Sequence, residues 1–154
     1  MLAATGLRIS ELAALDAKDI DWKHGTIQVH GKGDKERRIA PNPEVMGRLH
    51  SFMGMFPEGP VWLSRHASNP LSAHSIRKVI YGIAARAKLE NIHPHRFRSM
   101  FGTNFIEQMG DLQALQGAMG HASPLTTARY TQWTKERRQL EQMRSLDLGD
   151  RLVG

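Results

Sequence analysis

The chain has no cysteine, which excludes a disulfide, a thiolate-ligated metal or cluster and a cysteine nucleophile from its 154 residues. No stretch approaches the ~18 consecutive apolar residues that a membrane-spanning helix needs. The N-terminus lacks the basic run and apolar core of a secretory signal. There is no G-x-S-x-G elbow, no Walker loop and no G-x-G-x-x-G. Acidic residues are also scarce: 15 Asp and Glu stand against 21 Lys and Arg, for a formal charge of +6. A basic balance in a domain of this size suits a polyanionic partner. With 40% hydrophobic and 23% charged residues, the composition is that of one globular domain rather than a disordered chain.

Read for organisation, the chain predicts a mostly helical α+β domain with one small antiparallel sheet. Leu2-Ala3-Ala4 runs directly into Thr5-Gly6, a helix stop with almost no helix before it. The chain is therefore expected to begin inside a helix and to be a piece of a longer protein, a frayed terminus being the alternative. Residues 10–15 read as a short helix, 19–25 as strand and turn, and 26–30 and 37–40 as a hairpin. Gly31-Lys32-Gly33-Asp34 forms the hairpin's tip. Asn42-Pro43 is a cap followed by proline at the first helical position, and that helix is expected to run to about residue 56. Further helices are expected at 72–88, 94–108, 112–119, 124–130 and 134–146. Ile76, Val79, Ile80, Ile83, Ala84 and Ala87 lie at helical spacing in the first of these, and Leu140, Met143 and Leu146 on one side of the last.

Six polar side chains stand at places where chemistry could be done, and each also has an ordinary role. Arg8 follows the Gly6 stop, where an arginine commonly caps carbonyls or forms a surface pair. Lys32 sits between two glycines, as a solvated tip would. His95 and Arg98 share a helix face, and both could be surface residues. His121 follows Gly120 and could cap a helix end. Tyr130 could be a half-buried aromatic with its hydroxyl on a backbone group. His93 and His95 have metal-like spacing, but Pro94 lies between them and no third ligand is near. Asp19 and Asp21 are expected to face solvent.

Taken in order, these residues resemble the tyrosine recombinase (phage integrase) family. Ala4-Thr5-Gly6-Leu7-Arg8-Ile9-Ser10-Glu11-Leu12 is similar to its first catalytic block, and Gly31-Lys32-Gly33-Asp34-Lys35-Glu36-Arg37 to its catalytic-lysine hairpin. His95-Arg96-Phe97-Arg98 is similar to its His-x-x-Arg block. Leu115 through Gly120-His121, then Thr126-Thr127-x-x-Tyr130, resembles its closing block. The resemblance covers residues 1–134. Ser99 stands where the family commonly has a second histidine, and Phe97 where leucine is usual. The family's N-terminal DNA-gripping domain is expected to be absent, so that residues 1–154 would be the catalytic domain alone.

The resemblance implies site-specific recombination of double-stranded DNA through a covalent 3′-phosphotyrosyl intermediate. Attack on a phosphodiester builds negative charge on oxygens already anionic, so fixed donors must meet it. Arg8 and Arg98 would clamp the non-bridging oxygens, and His121 would add a donor. Tyr130 would be the nucleophile, His95 the base that takes its proton, and Lys32 the acid that protonates the 5′-hydroxyl. No metal or other cofactor is implied. Lys35, Arg37 and Arg38 are expected on the DNA backbone. Glu11 is a candidate to pair with Arg8 or another basic group, with a solvent-exposed carboxylate as the alternative. The family resemblance also implies other recombinase subunits in a tetramer, with helix 134–146 docking on a neighbour or folding back as a lid. A type IB topoisomerase-like relaxase, or a DNA-binding fragment without activity, are the alternatives. The expected location is cytoplasmic, in a bacterium or phage host, with no membrane partner. Apolar surface near Leu2 and Leu7 is expected to be exposed.

Overall fold

The computed structural model describes residues 1–31, 33, 35–54, 58–64, 69–121 and 124–145. In chain order the elements are α1 (Leu2–Thr5), α2 (Ile9–Ala13), a 3-10 turn (Ala17–Asp19), β1 (Ile20–Asp21), β2 (Thr26–His30) and β3 (Glu36–Ile39). The helices α3 (Pro43–Met53), α4 (Ala73–Arg86), α5 (Pro94–Met109), α6 (Leu112–Met119) and α7 (Pro124–Ser145) follow. This is the expected helical domain with a small antiparallel sheet, of order β1-β2-β3.

Local chemistry sets most of the boundaries. The side chains of Asn42, Ser72 and Asp111 accept hydrogen bonds from the backbone N–H groups of Val45, Ser75 and Ala114, capping α3, α4 and α6. Pro43 and Pro94 occupy the first turns of α3 and α5, where a missing N–H costs nothing. Gly110 ends α5 in the left-handed conformation, at φ 68°.

Alternation along the strands then builds the first core. In the β2–β3 register Ile27 faces Ile39 and Val29 faces Arg37. Ile27, Val29 and Ile39 are buried in one cluster with Leu7, Leu12 and Leu15 and with Met46, Leu49 and Met53 of α3. Full burial of a side chain such as Ile27 is worth about 1.5–3 kcal/mol. A second core, of Ile106, Leu115, Met119 and Tyr130, lies between α5, α6 and α7. α5 joins the two halves, packing against α1 as well as against α6 and α7.

Several expectations are corrected. Helix 124–130 and helix 134–146 are one helix, α7. The linking Thr131-Gln132-Trp133 contains no breaker, and Thr134 Oγ1 donates within the helix to the carbonyls of Tyr130 and Thr131, 3.0 Å away in each case. α3 ends at Met53 with Gly54 behind it; residues 55–57 lie outside the described residues. On α4 only Ile76 and Ala84 are buried, whereas Val79 and Ile83 are exposed. Leu2 and Leu7 are themselves buried in the core, while the exposed Met109 lines a cavity beside Ala3 and Ala4 of α1. Leu140 and Met143 are exposed rather than folded over the core as a lid, and Leu146 lies outside the described residues. Asp19 is not a solvent-facing carboxylate: it accepts a hydrogen bond from the backbone N–H of Asp16 at 3.0 Å. Among the described residues no helix is long and apolar enough to cross a membrane.

Candidate active site

The site forms where α6 ends. The last carbonyls of a helix have no partner within it and carry its negative dipole end. Here three arginines from three distant segments meet them. Arg37 Nε donates to the carbonyl of Ala118 at 2.8 Å, Arg98 Nη2 to that of Met119 at 2.6 Å and Arg8 Nη2 to that of Gly120 at 3.0 Å. Gly120 closes the helix at φ 60° and turns the chain into His121. A side chain at Gly120 would have to share space with the Arg37 guanidinium.

Glu11 holds two of these arginines together. Its side chain is 4% exposed. Its two oxygens accept from Arg37 Nη1 and Nη2 at 2.9 and 2.8 Å, from Arg8 Nη1 at 2.8 Å and from the Arg8 backbone N–H at 2.7 Å. Burial alone would push the Glu11 carboxyl up. The hydrogen bonds from Arg37 and Arg8, with the Arg37 charge, overcome that and bring it down to about 2. The carboxylate is therefore bound more tightly folded than unfolded, and its contribution is complete above its unfolded value near 4.5 and is lost as pH falls toward 2. Glu11→Gln should lower stability by ~3 kcal/mol at neutral pH and flatten the pH dependence between pH ~5 and ~2. Urea melts across that range check it; parallel wild-type and variant curves would refute the assignment.

Arg98, on α5, is 4% exposed. It also donates through Nη1 to the carbonyl of Gly6. Burial, then the charge of Arg8 and that of Arg37, lower its pKa to about 10, against the opposing pull of Glu11 and Tyr130. It remains a cation at neutral pH. Arg8 is the more accessible of the two, its side chain 41% exposed.

His121 Nδ1 is hydrogen-bonded to Thr127 Oγ1 at 2.8 Å, and its ring lies parallel to that of Tyr130, with centroids 6.4 Å apart. Tyr130 is 3% exposed, seated over Gly102 of α5. His95 is exposed in the first turn of α5 and lines a cavity of about 350 Å³ with Arg8 and Arg98. A second cavity, of about 940 Å³, shares Arg8 and continues past Lys35 to His121. Arg8, Arg98, His121 and Tyr130 thus gather around the end of α6, and His95 lines the adjoining cavity with Arg8 and Arg98. Lys32 lies outside the described residues, although the hairpin that bears it ends beside Arg8, with Gly31 and Lys35 lining the same cavity.

The three basic residues assigned to the DNA backbone separate. Lys35 is exposed beside the large cavity, and Arg38 is exposed but lines a different cavity with Asn104 and Phe105. Arg37 corrects the expectation: it turns inward, its side chain 11% exposed. The signal was present in the strand period, since Arg37 stands two residues from the buried Ile39 and so shares its face. Arg77, Tyr81 and His93, which also line the smaller cavity, were not expected there. Among the described residues no group of three or more His, Asp or Glu is placed to hold a metal ion.

Residues 1–137 match the model of the phage integrase family. The tyrosine recombinase XerC of Staphylococcus epidermidis is 34% identical over 139 residues, covering 85% of this chain and 46% of its own. XerC of Proteus mirabilis is 34% identical over 138 residues, covering 85% and 45%. The chain therefore spans about half the length of the curated relatives it matches. The crystal structure of XerA recombinase superposes with a TM-score of 0.80 at 26% identity, over 95% of this chain and 56% of that one. XerH recombinase, bound to a palindromic difH substrate in a post-cleavage complex, does so at 0.75 and 28%, over 94% and 43%. The chain belongs to the phage integrase family, the tyrosine recombinases.

Proposed function

We propose that this chain is the catalytic domain of a site-specific DNA recombinase that cleaves and rejoins double-stranded DNA through a phosphotyrosine. The observation that carries this is the convergence of Arg8, Arg98, His121 and Tyr130 on the end of α6, with His95 across the adjoining cavity. Arg8 and Arg98 supply preorganised donors for the non-bridging oxygens of one backbone phosphate. Their bonds to the carbonyls of Gly6, Met119 and Gly120 fix the guanidinium planes before DNA arrives. His121, held by Thr127, adds a donor beside the nucleophile.

Tyr130 Oη attacks phosphorus, His95 takes the phenol proton, and the bond to the 5′ oxygen breaks. Lys32 protonates that oxygen as it leaves. The phosphodiester energy is retained in the tyrosyl ester, so a second 5′-hydroxyl can rejoin the strand without a nucleotide cofactor. Lys35 and the exposed Arg38 supply backbone affinity. Further copies of the chain complete the reaction. The exposed Leu140 and Met143 on the outer half of α7 are the surface proposed to meet them.

The test uses a pool of duplexes with randomised arms, nicked so that the short cleaved fragment diffuses away and traps the intermediate. Wild type should yield an SDS-resistant protein–DNA adduct and Tyr130→Phe none. An adduct formed equally by both proteins would remove Tyr130 from the reaction. DNA retained without any adduct would favour a binding module.

A further inference from the structure

The cavity of about 350 Å³ has more cationic wall than one phosphate requires, and part of that wall is α4. Arg77 and Tyr81 stand four residues apart on α4, hence on one face, and both line the cavity together with Arg8, His95 and Arg98. Both are exposed, and neither makes a hydrogen bond or ion pair among the described residues. α4 contains no Asp or Glu, so its own helix offers Arg77 no counter-charge. Among the described residues no carboxylate lines the cavity either. The same space receives the first turn of the sixteen-residue helix α5, whose positive dipole end favours an anion, although the Arg96 N–H is already taken by the His93 side chain.

We infer that Arg77 and Tyr81 form a second seat for a DNA backbone phosphate, next along the strand from the phosphate engaged by Arg8 and Arg98. This rests on the reading of the site as a DNA-cleaving one and extends it. Arg77 would donate to the non-bridging oxygens and Tyr81 Oη would add one hydrogen bond. A contact of this kind places the strand and carries no base preference. It would fix the register of the cleaved phosphate against Tyr130 by holding its neighbour.

The experiment measures binding and adduct formation on nicked duplexes in which single phosphates flanking the cleaved one are replaced by neutral methylphosphonates. Wild type should lose about tenfold in affinity at one flanking position. Arg77→Ala should lose about tenfold on unmodified DNA, lose nothing more at that position, and show a salt slope shallower by about 1. Tyr81→Phe should lose a few-fold at the same position only. Arg86→Ala, an equal charge change on α4 outside the cavity, should retain wild-type affinity. Thermal melts of Arg77→Ala and Arg77→Gln should match wild type, since the side chain is exposed and unpaired. Additive losses at every methylphosphonate position, or unchanged affinity in both Arg77 variants, would overturn the seat. If wild type binds but forms no adduct, the recombinase reading falls, while the methylphosphonate scan read by binding still decides Arg77.

Discussion

Truncating Arg37 to alanine should cost about 3 kcal/mol of stability and slow strand cleavage by two orders of magnitude or more, although Arg37 never touches DNA in this reading. The side chain makes three charge-assisted hydrogen bonds, two to Glu11 and one to the carbonyl of Ala118. Without it, Glu11 keeps Arg8 as its only cationic partner among the described residues, at 4% exposure, and a helix-end carbonyl loses its donor. An ion pair in such a place is of modest net value when whole and expensive when halved. The kinetic loss follows from position. Arg37 ties β3 to both the arginine-bearing start of α2 and the end of α6 that leads to His121, so its loss loosens two donors of the site at once. Arg37→Lys should recover part of the stability, because an ammonium can still face Glu11 but cannot bridge Glu11 and Ala118 with a planar fork. Urea denaturation and single-turnover adduct formation read the two effects separately. A stable Arg37→Ala protein that cleaves within twofold of wild type would contradict the argument.

Much of this architecture was legible because short-range chemistry dictates it. Asn42-Pro43, Ser72 and Asp111 start helices by supplying side-chain acceptors to orphan N–H groups, a demand fixed within three residues. The site residues were legible as a spaced set, since Arg8, the hairpin, His95 with Arg98, and His121 with Tyr130 keep the family's order. What could not be read was partnership across the fold. The inward turn of Arg37 depends on Glu11, 26 residues away, and on a carbonyl 81 residues away. The two helices expected at 124–130 and 134–146 are one, α7, because polarity alone does not end a helix and the stretch between them contains no glycine or proline. The cavity-facing pair Arg77 and Tyr81 showed the correct i,i+4 spacing, but a helix face acquires a purpose only when its neighbours are known.

Gly102→Ala should destabilise the protein by about 2 kcal/mol, with a Tm lower by roughly 5 °C, and should suppress adduct formation. In an ordinary exposed helix the same change gains about 1 kcal/mol, because alanine loses less backbone entropy than glycine. The sign reverses here because of what faces the glycine. A Cβ on Gly102 would lie 2.8 Å from both Cε1 and Cζ of Tyr130, separations that such atoms essentially never adopt, and 3.0 Å from Cδ1. The ring cannot yield sideways, since Leu115 and Met119 beside it are fully buried. Relief therefore requires α7 to move away from α5, carrying Tyr130, and with it the ring of His121 tied to Thr127, out of their seats beside Arg98. Loss of activity would thus accompany loss of stability while every proposed catalytic group is still present. Gly47→Ala, on the exposed face of α3 with nothing within 4 Å of the added carbon, is the matched control and should gain about 0.5–1 kcal/mol. Calorimetry on the pair, with adduct yield under conditions where both are folded, separates packing from chemistry. If Gly102→Ala were as stable as wild type and equally able to trap DNA, the close seat of the nucleophile over α5 would have no part in positioning it.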